Sequence, residues 1–197
     1  ADTSGDYYVT VTDTNGCSNN SNTININVHP NPRADFIING ICVNTPSQFM
    51  NTSTVSAGDI ISSIWYLGDG YIANADSFFY TYPFAGEYYT NLLVTSDYGC
   101  LDSIGKWYSI YNNPIASFEY YPFRISTLQP EVNFVTTTSN FTSVFWDFDD
   151  STYSVLANPS HEFQAAATYD VVLMVTDSNQ CIDSVTHKIT MYYDFVF

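Results

Sequence analysis

Apolar and polar residues alternate in short runs along this chain, and the runs return at a fixed step. Tyr88, Thr90, Leu92 and Val94 share one side of an extended segment over 88–95, the pattern of a strand with one buried face. Segments 60–67 and 104–111 read as strands in the same way, with Trp65 and Leu67 on one side of the first. Trp65-Tyr66-Leu67-Gly68-Asp69-Gly70 returns as Trp146-Asp147-Phe148-Asp149-Asp150-Ser151, and 146 − 65 is 81. The same step carries Tyr82 onto Phe163, Tyr88 onto Tyr169, and Cys100-Leu101-Asp102-Ser103 onto Cys181-Ile182-Asp183-Ser184. A shared offset over so many positions marks one structural unit used twice.

Punctuation between the runs sets the expected boundaries. Residues 1–30 read as the closing hairpin of an earlier unit. Tyr7, Val9 and Val11 alternate with Tyr8, Thr10 and Thr12 as a half-buried strand, and Asn15-Gly16 makes the turn. His29-Pro30-Asn31-Pro32 is a linker whose prolines block helix. A first unit spans 33–112, with strands over 33–38 and 41–50 joined at Asn39-Gly40. Asn112-Asn113-Pro114 is the second linker, and Pro114–Phe118 repeats Pro32–Phe36. A second unit spans 113–193. Residues 194–197 read as the lead-in to a further domain.

Composition narrows the function classes. Charged residues are only 12%, yet the net charge is −16, because the basic residues are four: Arg33, Lys106, Arg124 and Lys188. Nucleic acid is not expected as a partner, since neutralising phosphates needs clustered Lys and Arg. Anionic membrane surfaces are disfavoured for the same reason. A hydrophobic share of 45%, with 17 Tyr and 14 Phe, supports packed cores rather than disorder. No apolar run approaches ~18 residues, so no membrane insertion is expected. The opening Ala1–Asp6 has no signal-peptide pattern and reads as the middle of a larger protein. Four cysteines without a C-x-x-C spacing, and few histidines, favour disulfides over zinc.

The motif W-x-[FL]-G-D-G at Trp65–Gly70, followed by Tyr80, Tyr82, Gly86 and Tyr88, resembles the polycystic kidney disease (PKD) domain. Asn158-Pro159-Ser160-His161-Glu162-Phe163 is similar to that family's N-P-x-H-x-Y. The second copy departs at Asp149 and Ser151, where the family prefers glycine, which leaves its turn type open. The resemblance covers 33–193 and implies an all-β fold of tandem immunoglobulin-like sandwiches, extracellular, with no reaction implied. The end, Met191–Phe197, resembles the lead-in to the sorting domain of large gliding-motility-associated surface proteins of Bacteroidota, which leave by the type IX route.

Candidate sites are then weighed residue by residue. Trp65 and Trp146 face the same way as Leu67 and Phe148, so they read as core rather than ligand platforms. Tyr88 and Tyr169 suit the tyrosine corner of this fold. His161 has no Ser or Cys nucleophile at a recognisable spacing. Asp69, Asp149 and Asp150 lack the D-x-D-x-D-G run of a calcium loop and read as turn closers. No paired carboxylates and no glycine-rich phosphate loop stand out, so neither catalytic residue, metal nor cofactor is expected. Asn19-Asn20-Ser21, Asn51-Thr52-Ser53 and Asn140-Phe141-Thr142 are sequons, and Asp102-Ser103-Ile104, Asp150-Ser151-Thr152 and Asp183-Ser184-Val185 look like a Bacteroidota O-glycosylation motif. Such short motifs also arise by chance.

Two sets of residues remain. Tyr66, Tyr89 and Trp107 sit opposite to the core-facing positions of strands that the implied fold puts in one sheet, and an exposed aromatic cluster suits a partner or glycan. Their counterparts 81 residues on are Asp147, Asp170 and Lys188, an ordinary polar face. Packing against a neighbouring domain or glycan is the plainer reading. Among the cysteines, Cys42 with Cys100 is the obvious pair, but chain direction opposes it. In the implied sandwich Cys42 starts one strand and Cys100 follows the end of a strand running the same way. About ten residues at ~3.3 Å each separate the two ends, beyond the ~7 Å Cα limit of a disulfide. Arg124 stands near the Cys42 counterpart in the second unit. In the implied sandwich the last strand of the first unit leaves at the end where Cys42 lies, and the chain enters the second unit at the end where Cys181 lies, so the expected bridge is Cys42–Cys181, with Cys17 and Cys100 paired to cysteines of upstream units. The expected role is a non-enzymatic stalk of a secreted cell-surface adhesin. Its partners are neighbouring repeats, a glycan or surface ligand, and secretion machinery acting through a domain outside this sequence. The alternative is an accessory region of a secreted polysaccharide hydrolase or peptidase.

Overall fold

The structure, a computed structural model, describes residues 3–194. Residues 195–197 of the expected lead-in lie outside the described residues. The fold is all-β, built from immunoglobulin-like sandwiches in tandem, and no α-helix occurs among the described residues. Four short strands come first: β1 (Gly5–Tyr7), β2 (Thr10–Thr12), β3 (Ser18–Asn20) and β4 (Ile24–Ile26). β1 pairs with β4 and β2 with β3, both antiparallel, in one hairpin interrupted at Tyr8 and Val9. The expected half-buried strand is instead exposed, with Tyr8 at 58% and Val11 at 66%. A two-stranded ribbon has no second layer of its own to cover either face.

The first sandwich contains β5 (Phe36–Asn39), β6 (Ser47–Asn51), β7 (Ile60–Tyr66), β8 (Ile72–Asn74), β9 (Ser77–Tyr80), β10 (Gly86–Ser96) and β11 (Leu101–Ile110). One sheet runs β5-β6-β9 and the other β11-β10-β7-β8. The strand expected over 41–50 is shorter than its pattern, because Pro46 lacks an N–H and fixes φ, and Asn44 just before it takes φ 55°. Residues ahead of it bond elsewhere: Val43 N–H to the Tyr111 carbonyl and Asn44 N–H to the Tyr82 carbonyl. Trp65 is fully buried, with Phe36, Phe49 and Phe78 meeting it edge-on at 5.2–5.8 Å between ring centroids. Such edge-to-face pairs add roughly 0.5–1.5 kcal/mol each beyond area burial.

The second sandwich contains β12 (Phe118–Tyr121), β13 (Ile125–Ser126), β14 (Glu131–Thr136), β15 (Ser143–Asp147), β16 (Tyr153–Ser154), β17 (Ser160–Glu162), β18 (Thr168–Thr176) and β19 (Ile182–Tyr192). Its sheets run β12-β14-β17 and β13-β19-β18-β15-β16. Tyr169, Val171, Leu173 and Val175 are buried along β18, at the 81-residue step from Tyr88, Thr90, Leu92 and Val94. Phe118, Phe134, Trp146, Phe148 and Phe163 belong to the same core.

The repeat extends to single hydrogen bonds. Trp65 Nε1 donates to the Ala75 carbonyl (2.8 Å), and Trp146 Nε1 to the Leu156 carbonyl (3.0 Å). Asp102 accepts from Ala34 N (2.7 Å), and Asp183 from Ala116 N (2.8 Å). The turn after the tryptophan strand keeps its shape despite the changed residues. Gly68 and Gly70 have φ of 87° and 96°, and Asp149 and Ser151 take 62° and 71°. The Asp149 carboxylate accepts the Asp170 N–H, which helps hold a conformation that side chains otherwise resist. By compactness, the chain up to Ile38 groups with Gln48–Phe78 and Tyr88–Trp107. Asn39–Ser47 and Phe79–Glu87 group with the chain from Tyr108.

Thr90 departs from the core pattern. It is fully buried where the second sandwich has Val171, and its Oγ1 has no hydrogen-bond partner. A buried hydroxyl without a partner costs about 1–3 kcal/mol, so Thr90→Val is expected to raise stability by about 1 kcal/mol. Urea unfolding of the two proteins measures this, and a loss of stability in the valine variant would contradict it.

Candidate functional site

Tyr66 ends β7, Tyr89 lies early in β10 and Trp107 lies in β11, so one sheet carries all three. They are exposed by 43%, 45% and 67%, whereas Trp65 and Trp146 are 0% exposed. Alternation explains this division, because each outward ring neighbours an inward core residue. The Tyr89 and Trp107 rings lie 5.2 Å apart at 55°. Gly105 makes room for this pair: a Cβ there would come within 2.0 Å of the Tyr89 hydroxyl. Gly68 is needed as well, since a Cβ there would lie 2.8 Å from the Tyr89 carbonyl oxygen. Tyr66 stands opposite Asn91 across the β7–β10 ladder, two positions along from Tyr89 and on the same face.

At the equivalent positions of the second sandwich, Lys188 Nζ meets both carboxylate oxygens of Asp170, at 2.8 and 3.0 Å. Asp170 and Lys188 face each other across the β18–β19 ladder. A cross-strand site that holds an aromatic pair in one copy thus holds an ion pair in the other. The second sandwich carries a different outward aromatic pair, which the sequence pattern did not single out: Phe145 stacks on Tyr153 at 5.4 Å, with both rings partly exposed. The one basic side chain on β11, Lys106, is engaged elsewhere, with Nζ 2.6 Å from Asp35 and from the Phe36 carbonyl and 4.6 Å from the Phe36 ring centre.

The remaining polar candidates close turns or tie elements together. Tyr169 donates its hydroxyl to the Ala165 carbonyl at 2.6 Å. His161 Nε2 lies 2.7 Å from Asp150, and its ring stacks on Phe148 at 4.1 Å and meets Phe163 edge-on. Asp69 accepts from the Tyr71 N–H, and Asp150 from Thr152. Among the described residues, no group of three or more His, Cys, Asp or Glu side chains is placed to hold a metal ion.

The cysteines show a regularity that spacing alone concealed. Cys17, Cys100 and Cys181 each end the same turn. Asp13 N–H bonds the Cys17 carbonyl (2.9 Å), Ser96 N–H that of Cys100 (2.9 Å), and Asp177 N–H that of Cys181 (3.0 Å). The residue before each cysteine has positive φ: Gly16, Gly99 and Gln180. Cys181 is disulfide-bonded to Cys42, with Cα atoms 5.6 Å apart. This is the pair that strand direction selects. Cys17 and Cys100 are free thiols, the first exposed and the second half-buried.

The family profile described as PKD domain matches residues 29–107 and 120–192. Among solved structures, the PKD1 domain of Vibrio anguillarum Epp is 23% identical, covering 43% of this chain and 99% of its own, with a TM-score of 0.40. The PKD1 domain of the Vibrio cholerae metalloprotease PrtV is 28% identical, covering 42% and 98%, at 0.35. The fibronectin(III)-like modules of Clostridium thermocellum CbhA are 10% identical, covering 82% and 94%, at 0.46. No curated protein matches the chain.

The pair between His161 and Asp150 generates a pH prediction. Desolvation pushes the Asp150 carboxyl up, but hydrogen bonds from Thr152 and His161 and the attraction of His161 outweigh it, so it sits below its ordinary 3.8. A depressed native pKa stabilises the fold above the unfolded-state value. That contribution is lost as pH falls through the native value, below 3.8. Asp150→Asn should therefore lower stability by about 1 kcal/mol at neutral pH, with the gap closing in strong acid. Urea unfolding of both proteins across this range measures the gap. A gap independent of pH would mean that the carboxylate charge is not its source.

Proposed function

The chain belongs to the PKD-domain family, and we propose that it is a non-enzymatic spacer segment of a secreted cell-surface adhesin, built to hold a distal binding region under tension. The observation that carries this reading is the Cys42–Cys181 disulfide, with a sequence separation of 139. Tension applied along the backbone reaches Cys42, crosses the S–S bond and leaves at Cys181. Residues 43–180, which include β6 to β18, stand outside that path. A cross-link of this reach also favours an oxidising, extracellular location. The free Cys17 and Cys100 occupy the same turn as Cys181, so in a longer array each would take the same kind of bond from an upstream unit. Export through a C-terminal sorting domain of the Bacteroidota kind completes the proposal. His161 is held by Asp150 and two aromatic rings, which suits a structural rather than a catalytic role.

Single-molecule stretching tests the mechanical reading. The oxidised chain should extend only by the residues outside the bridge. Reduction should release about 490 Å more, at roughly 3.5 Å for each of the 139 residue steps. Full-length extension of the oxidised chain would overturn the proposal. Panels of peptide, ester and polysaccharide substrates should give background rates, and turnover lost in His161→Ala would show that the chain is an enzyme.

A further inference from the structure

The outward aromatic face of the first sandwich has a charge environment that selects among ligands. Glu87 precedes Tyr89 by two positions on β10, so alternation puts its carboxylate on the face that bears the ring. Ser109 donates its hydroxyl to that carboxylate. Lys106, the basic residue of β11, is bound to Asp35 and the Phe36 carbonyl. The face therefore combines aromatic π-surfaces with the Glu87 carboxylate, on a chain of net charge −16.

We infer that Tyr89 and Trp107, with Glu87 as countercharge, form a docking site for a Lys- or Arg-bearing segment of a partner polypeptide. Three observations favour this occupant. The rings meet at 55°, making a corner rather than the flat platform that a sugar ring stacks on. A cation over an aromatic face gains from the ring quadrupole, and a nearby carboxylate adds to that attraction. The summed negative charge also steers basic partners toward the surface while repelling acidic ones. The partner is polypeptide because β11 is an edge strand of its sheet, and edge strands recruit extended chains through main-chain hydrogen bonds while side chains settle into adjoining sites. The second sandwich offers no such site at the equivalent place, since Lys188 already neutralises Asp170 there. This inference is independent of the spacer role, and the stretching experiment and the one below fail separately.

The test uses the whole chain and a short oligolysine or oligoarginine peptide near physiological salt. A chain this acidic attracts any polycation, so the decisive variant keeps the net charge. Tyr89→Asp combined with Trp107→Lys adds one negative and one positive charge and copies the Asp170–Lys188 pair that the second sandwich already accommodates. Calorimetry should show affinity about tenfold weaker for this double variant, the loss expected for one well-placed cation–π contact. Glu87→Gln should weaken binding more than Glu119→Gln, which removes the same charge from the other sandwich. Trp107 is the exposed indole among three tryptophans, so protection from acrylamide quenching reports directly on the site. Equal affinity of parent and double variant would reduce the binding to net charge and overturn the proposal. So would absence of peptide binding, or binding of a neutral oligosaccharide in place of the peptide.

Discussion

A buried indole must find an acceptor for its N–H, and both sandwiches are arranged to supply one. Trp65 and Trp146 lie at the centre of their cores with no exposure to water. Leaving either N–H unpaired there would cost about 1–3 kcal/mol. Each instead reaches the carbonyl ten residues on, at Ala75 or Leu156. That requirement fixes where the chain must go after the tryptophan strand. It has to turn sharply, run briefly antiparallel as β8 or β16, and arrive with one carbonyl pointing inward. The positive φ angles at Gly68 and Gly70, and at Asp149 and Ser151, are the local cost of that route.

The inward half of each strand was legible in the sequence because burial imposes a period of two. Trp65, Leu67, Leu92 and Val94, and their partners 81 residues on, are buried as the pattern requires. The outward rings Tyr66, Tyr89 and Trp107 followed from the same alternation. Other features depend on what the chain packs against, which a local pattern does not carry. Residues 7–12 alternate as a buried strand does, but no second layer covers their apolar side among the described residues. Asp149 holds a glycine-like angle with its carboxylate accepting the Asp170 N–H, 21 residues away in sequence. The shared turn before Cys17, Cys100 and Cys181 was hidden because Asp, Ser and Asp all supply the capping oxygen, and Gly, Gly and Gln all take positive φ.

The two copies also separate what the fold needs from what it leaves free. Between two facing strands, a pair of neighbouring side chains contributes roughly 0.2–1 kcal/mol whether it is aromatic or ionic. Tyr89 with Trp107 and Asp170 with Lys188 are therefore interchangeable as far as sheet stability is concerned. They are opposite as surfaces. One presents polarisable rings, and the other a self-neutralised ion pair. Gly105 is the residue that commits the first copy to its choice, because a side chain there would collide with Tyr89, whereas the second copy has Thr186 at that place.

The reach of the Cys42–Cys181 bond bears on the order of events as the chain is made. Synthesis runs from the N-terminus, so Cys42 exists long before its partner, and Cys100 appears in between. A bond made to Cys100 would be wrong, and the folded first sandwich resists it: Cys100 directly precedes β11, whereas Cys42 bridges Tyr111 just past its other end. Cys42 must wait, reduced, while 138 further residues appear, from 43 to 180. Once closed, the loop removes about 5 kcal/mol of freedom from the unfolded chain in the chain-entropy treatment. A turn made 139 residues later thus decides whether the Cys42 thiol is spent correctly, and a closed bridge is a chemical record that the polypeptide between them has been completed.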